Sequence, residues 1–195
     1  MIKQGKNADA IAGPLDQIIH ADETAYAHSK KRIYCATSPA EALMYMTAAV
    51  ADHVDAQVLS KPTWAMAYYL KAYALEDLGN LPDAESSLLQ ALKLSPSNSH
   101  YRSELGAVYQ RQKVWSGALK AYQDAEVAAI NFAPESMKIP ERCRALRGQG
   151  YVLVEQHHLD DAEQKYRQCL SIYPSDRAST NELGYIQQLR AKSAN

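Results

Sequence analysis

The chain is poor in cysteine. Its three, Cys35, Cys143 and Cys169, are an odd count with no Cys-x-x-Cys spacing. That excludes a disulfide framework and a cysteine-rich zinc site. No apolar run approaches the roughly 20 residues that a membrane-spanning helix needs. Neither charge dominates: 21 Lys and Arg stand against 22 Asp and Glu, for a net charge of −1. A general nucleic-acid binder needs a basic face to displace counterions, so nucleic acid is not an expected partner. Phenylalanine occurs once, against thirteen tyrosines. Tyrosine can pack its ring and keep its hydroxyl wet, which suits the half-buried positions of a thin stack of helices.

Motifs with a chemical mechanism are also missing. There is no Gly-x-Ser-x-Gly, no His-Glu-x-x-His and no phosphate-binding lysine loop. Gly148-Gln149-Gly150 lacks the third glycine of a dinucleotide loop and follows no strand. His157-His158-Leu159-Asp160-Asp161 has the residue types of a metal site. It falls, however, where a turn between two helices is expected, and an aspartate there serves a helix N-terminus. Cys169 sits where a small buried residue is expected. The reading is therefore no catalytic residue, no metal and no cofactor. The opening MIKQGKNADA has no apolar core of a signal peptide. The default expectation is a cytoplasmic protein, or an exported one if a leader is removed from the natural chain.

What the chain does have is a repeat. From Trp64 to Asn98, two apolar stripes at helical spacing, Tyr68-Ala72-Leu75 and Ala84-Leu88-Ala91, flank a break at Gly79-Asn80. Pro82 suits the first turn of the second helix, and Pro96 ends it. Shifted by 34 residues, Ala72, Leu75, Ala84, Leu88 and Ala91 fall on Gly106, Tyr109, Ala118, Tyr122 and Ala125. Shifted by a further 44, Gly106, Ala118 and Tyr122 fall on Gly150, Ala162 and Tyr166, and Gly150 recurs 34 later as Gly184. Ten extra residues mark an insertion near Ala133–Arg142, where Pro134 and Pro140 predict an irregular loop. The small residues let helix axes approach closely, and the larger ones fill the space beyond.

This pattern resembles the tetratricopeptide repeat, a family built from paired helices of about this period. Leu105-Gly106-x-x-Tyr109 with Ala118-x-x-x-Tyr122 carries it best. Lys71 and Gln149 depart from it, standing where the family has an aliphatic residue. The resemblance implies an all-α, right-handed solenoid of helical hairpins, about eight or nine helices and no sheet. Repeats are placed at about 65–98, 99–132 and 143–176, with a capping helix at about 177–192. Residues 1–62 form an N-terminal cap of two helices, about Pro14–Ser29 and Ser38–Leu59, ahead of a repeat domain at 63–195. Ser38-Pro39-Ala40-Glu41 has the residues of a capping box. Lys30-Lys31-Arg32 reads as cations at a helix C-terminus rather than a contact site.

The resemblance further implies a non-enzymatic protein-interaction module with a concave groove for a peptide or partner protein. One residue past the small positions, the groove face reads Tyr73, Ala107, Tyr151 and Tyr185. Tyr69 lies a turn before Tyr73, and Arg144 and Arg147 lie one to two turns before Tyr151. These seven residues are the expected site, suited to apolar and acidic side chains. The bland alternative is that the tyrosines only cover thin helix contacts. Some members grip a C-terminal carboxylate with lysine, asparagine and arginine. The corresponding positions here are Tyr69, Tyr73, Glu104, Arg144 and Gly148, so that function does not carry over. Two other readings stand beside the first. One is a chaperone for a secreted or aggregation-prone client, expected to form a homodimer. The other is an enzyme using Glu135, Lys138 and Glu141 in the insertion.

Overall fold

A computed structural model describes residues 7–59 and 61–193. Among them are nine α-helices of eleven or more residues and one two-stranded sheet. The fold is an all-α helical solenoid. Three hairpins follow one another: α4 (Thr63–Asp77) with α5 (Leu81–Leu94), α6 (Ser99–Arg111) with α7 (Trp115–Asn131), and α8 (Glu135–Glu155) with α9 (Leu159–Ile172). The last helix, α10 (Arg177–Ser193), packs on α9 and α8.

The turn inside each hairpin is set by one residue with positive φ. These are Gly79 at 77°, Lys113 at 61° and His157 at 61°. They are 34 and 44 residues apart, so the repeat extends to the backbone. Glycine takes this conformation freely, whereas the two non-glycine residues hold it at some cost in strain. Asn98 and Asp176, also in register, cap the first helix of their units by accepting from the N–H of Tyr101 (3.0 Å) and Ser179 (2.9 Å).

The core is continuous along the stack. Ala72, Leu75, Ala84 and Leu88 of the first hairpin pack with Leu105 and Val108 of the second. Ala118 and Tyr122 pack with Val152 of the third. Val154, Ala162 and Tyr166 pack with Ile186 of α10. Both departures from the family pattern find a partner, although the Gln149 Oε1 accepts no hydrogen bond from the described residues. Lys71 reaches Asp16 at 2.8 Å on the N-terminal segment, and buried Gln149 donates to Glu126 at 2.9 Å.

The N-terminal segment differs from its expectation in three ways. First, the predicted helix from Pro14 begins earlier and is interrupted. A four-residue α1 (Asn7–Ala10) passes through a π-turn at Ile11–Leu15, non-helical at Gly13, into α2 (Asp16–Tyr26). Second, the helix expected to reach Leu59 is α3 (Pro39–Ala51), which ends as His53 turns to φ 55°. Third, the expectation of no sheet is corrected. β1 (Arg32–Cys35) and β2 (Ala56–Leu59) pair in parallel, with Arg32 opposite Ala56. A parallel pair needs a crossover, and α3 supplies it. Tyr34 of β1 stacks on Tyr45 of α3 at 4.9 Å. The capping box forms: Ser38 accepts from Glu41 N–H at 3.1 Å, while the Glu41 carboxylate accepts from the Thr37 hydroxyl at 2.7 Å.

The irregular loop expected at 133–142 is also corrected. Pro134 starts α8, which runs through Pro140. Pro140 removes the one hydrogen bond it would have donated to the Ser136 carbonyl, a loss the helix absorbs near its start. The insertion therefore lengthens the first helix of the third hairpin.

Candidate functional site

The first helices of successive units, α4, α6, α8 and α10, form one face. Tyrosine occurs in the stack in two environments. Tyr122 and Tyr166, from the second helices, are 5% and 1% exposed and belong to the core. Tyr73, Tyr151 and Tyr185, from the first helices, are 43%, 38% and 48% exposed. Ala107 is half-buried between them in register. Tyr69 is half-buried, stacked on Tyr101 with ring centroids 5.2 Å apart.

The two arginines of the expected site are engaged inside the protein. Arg144 donates to Glu104 at 2.8 Å and lies 3.9 Å from Glu141. Arg147 donates to the cap residue Asp176 at 2.8 Å. Burial pushes the Asp176 carboxyl up, while hydrogen bonds from Ser179 and the Arg147 charge pull it down and prevail.

Around Tyr69 the face carries a cluster that the repeat pattern does not mark. His100 Nδ1 is 3.1 Å from Glu141 Oε1, and its Nε2 is 3.1 Å from the Tyr69 hydroxyl. Glu104 lies 3.7 Å from the same Nε2. Glu141 is 5% exposed, and its Oε2 accepts no hydrogen bond from any described residue. Burial and the Glu104 charge push the Tyr69 phenol up, with Arg144 opposing. Burial, Glu155 and Glu182 push the Tyr151 phenol up. Carboxylates thus flank both Tyr69 and Tyr151. Sequence reasoning grouped Glu141 with Glu135 and Lys138 in a segment read as a loop; in the helix it turns instead toward His100. His100 had one usable signal: it stands 44 residues before Arg144, in the same place in its unit.

The other candidates fall elsewhere. His157 holds the left-handed turn after α8, and His158 precedes α9. Asp160 pairs with Arg190. No group of three or more His, Cys, Asp or Glu among the described residues is arranged to hold a metal. Glu135 and Lys138 pair with each other at 2.8 Å on exposed surface, apart from buried Glu141. All three cysteines are buried and free, and burial pushes the Cys143 thiol up to about 12. No helix among the described residues is long and apolar enough to cross a membrane.

The hairpins, their period and their stacking define a repeat solenoid. The tetratricopeptide repeat family model matches residues 37–99 and 69–134, and the chain belongs to that family. Solved structures agree on the fold. The first such domain of human RPAP3 is similar with a TM-score of 0.58 at 20% identity, covering 69% of this chain and 98% of that one. The first such domain of Spaghetti (RPAP3), bound to the HSP90 peptide SRMEEVD, gives 0.55 at 20% identity, with 65% and 93% covered. MamA from Desulfovibrio magneticus RS-1 gives 0.54 at 17% identity, with 80% and 88% covered. At these identities the likeness is one of fold. Among curated proteins, none matches the chain.

Proposed function

We propose that this protein is a non-enzymatic interaction module that binds a peptide or partner protein in the groove of its first helices. Tyr69, Tyr73, Ala107, Tyr151 and Tyr185 supply the contact surface. Arg144 and Arg147 act at its edge by positioning Glu104 and Asp176. The observation that carries this reading is the split among tyrosines. Those of the second helices are buried, while Tyr73, Tyr151 and Tyr185 remain more than a third exposed on one face. Rings that served only as cover would be drawn into the core like Tyr122. An exposed tyrosine offers large contact area at low entropy cost.

The test starts with a partner recovered from the native host using the wild-type protein as bait. Tyr73→Ala and Tyr151→Ala should each weaken its binding by about 1 kcal/mol or more. Tyr173→Ala removes a tyrosine that is equally exposed but lies at the end of α9, and should leave affinity unchanged. If both groove variants bind as wild type, the contact lies elsewhere.

A further inference from the structure

The N-terminal segment leaves two features uncovered. One is the outer edge of β2. Arg32 N–H donates to the Asp55 carbonyl at 2.7 Å, and Arg32 stands opposite Ala56. Alternate residues make the bonds of a parallel pair, so the N–H and C=O of Ala56 and Val58 point away from β1. No third strand lies beside β2 among the described residues. Natural proteins blunt such edges with charges, proline, bulges or shortness. Of these β2, Ala56-Gln57-Val58-Leu59, has only shortness.

The other feature is the outer side of α3. Every exposed residue from Pro39 to Ala51 is uncharged. Leu43, Met46 and Val50 are 70%, 41% and 72% exposed. Thr47 turns its hydroxyl back to the Leu43 carbonyl at 2.8 Å. A helix that is apolar on its outer as well as its inner side is normally covered.

We propose that both features are covered by the same features of a second copy of this chain. β2 pairs antiparallel with β2 of the other copy around a twofold axis. The result is one continuous sheet with both α3 helices on the same face.

Two observations select a second copy over any other strand. The first is spacing. Neighbouring strands lie about 4.8 Å apart, and α3 packs on both β1 and β2. A helix seated over the gap between them lies about 5 Å from the twofold axis, which puts the two α3 axes about 10 Å apart. Helices pack through their side chains at about 8–10 Å. A lone strand would satisfy the β2 edge and leave α3 bare, whereas a second copy covers both. The second is charge. Asp55 and Lys61 flank β2, both exposed and without an ion pair among the described residues. With Val58 opposite Val58 of the other copy, each Asp55 stands opposite a Lys61, twice across the axis. A parallel, in-register pairing would set like charges together. Four residues supply few backbone bonds, so the α3 contact carries most of the affinity. The surface uses none of the groove residues, so dimer and groove stand or fall separately.

The test is sedimentation velocity of the full chain across micromolar concentrations. The expected species has twice the 21.6 kDa of one chain. Val50→Lys should raise the dissociation constant about tenfold or more, as a charge in place of a central apolar contact does. Helical content should be unchanged, because Val50 is exposed and a cation suits the last turn of a helix. Val127→Lys, on a residue equally apolar and exposed near the end of α7, should leave the dimer intact. Asp55→Lys sets lysine against lysine on both sides of the axis and should weaken association about tenfold. Adding Lys61→Asp restores opposite charges and should return it to within about twofold of wild type. The proposal is overturned if the chain is monomeric throughout. It is equally overturned if the dimer survives Val50→Lys, if Val127→Lys dissolves it as well, or if the double reversal fails to restore what Asp55→Lys loses.

Discussion

Gly148→Ala puts the register of the stack to a quantitative test. The Tyr122 ring lies between α6 and α8, against glycine on both sides. A Cβ on Gly106 would come 2.9 Å from two of its ring carbons, and a Cβ on Gly148 would intrude further into the same ring. Contacts below 3.0 Å are essentially unknown for real Cβ atoms. The ring has little freedom to yield, being 5% exposed with its hydroxyl donating to Gln110 at 3.1 Å. Two effects oppose each other. Alanine in a helix interior is favoured over glycine by about 1 kcal/mol. Overpacking a tight contact costs about 1–3 kcal/mol. With so close an approach the upper part of that range applies, and the net loss should be about 1–2 kcal/mol.

Gly184 supplies the control. It occupies the same place in the last unit as Gly106 and Gly150, yet nothing lies within 4 Å of a Cβ built there. Gly184→Ala should therefore gain up to about 1 kcal/mol from helix propensity. For a chain of this size, 1 kcal/mol moves the melting temperature by about 2–4 °C. The two variants should shift it in opposite directions by circular dichroism. Tyr122→Leu closes the argument. In that background Gly148→Ala should cost far less, because the ring Cε1 and Cζ that it strikes are gone, and the pair should be strongly non-additive. Parallel shifts for Gly148→Ala and Gly184→Ala, or additivity with Tyr122→Leu, would refute the packing described.

Two further outcomes follow from the core and the caps. Ala118 is fully buried between α7 and its neighbours while Gln123 is exposed; Ala118→Leu should cost about 1–3 kcal/mol and Gln123→Leu within about 0.5 kcal/mol in urea unfolding. The Asp176 carboxyl is held below its ordinary value, so the unfolded chain takes up its proton first as pH falls. Its stabilisation is present above the unfolded value, about 3.9, and is lost as pH drops through the folded one; Asp176→Asn should thus destabilise more at pH near 7 than near 3, and an equal loss at both would contradict the Arg147 and Ser179 contacts.

The parts of this molecule that the sequence discloses are those with a local period. Ala72, Gly106 and Gly150 announce close helix contacts at a helical spacing, and Gly79-Asn80 announces a turn. The chain at Lys113 and His157 takes the same left-handed turn without glycine, so only the repeat register marks it. The sheet has no such signal. Arg32–Cys35 and Ala56–Leu59 are four residues each, too short for alternation to emerge, and their pairing is decided by where α3 ends. Prolines misled at 133–142 because Pro134 can start a helix as readily as stop one, and a proline near a helix start removes only one bond. That error set Glu141 beside Glu135 and Lys138 in a loop, away from His100. The polar cluster was illegible for a different reason: Tyr69, His100 and Glu141 are 31 and 41 residues apart, and nothing local to any of them reports the others.

The division between periodic and aperiodic positions also separates architecture from recognition. Positions that repeat, such as Gly106 and Gly150 with Tyr122 and Tyr166, are buried and hold helices together. On the face of the first helices the neighbouring register does not repeat. The place held by His100 is Met66 one unit earlier and Arg144 one unit later, and the place held by Glu104 becomes Gly148 and then Glu182. Apart from Gly148, which packs against the Tyr122 ring, none of these residues fills the core between hairpins, and a solenoid would remain a solenoid if they were uniform. Their variation gives each unit a different surface: aromatic at Tyr73, polar and titratable at His100 and Glu104, and aromatic with carboxylates at Tyr151 and Tyr185. An extended peptide laid across the units would therefore meet a fixed order of chemistries. On that reasoning the specificity of the proposed groove would reside in residues that break the repeat, and its rigidity in those that keep it.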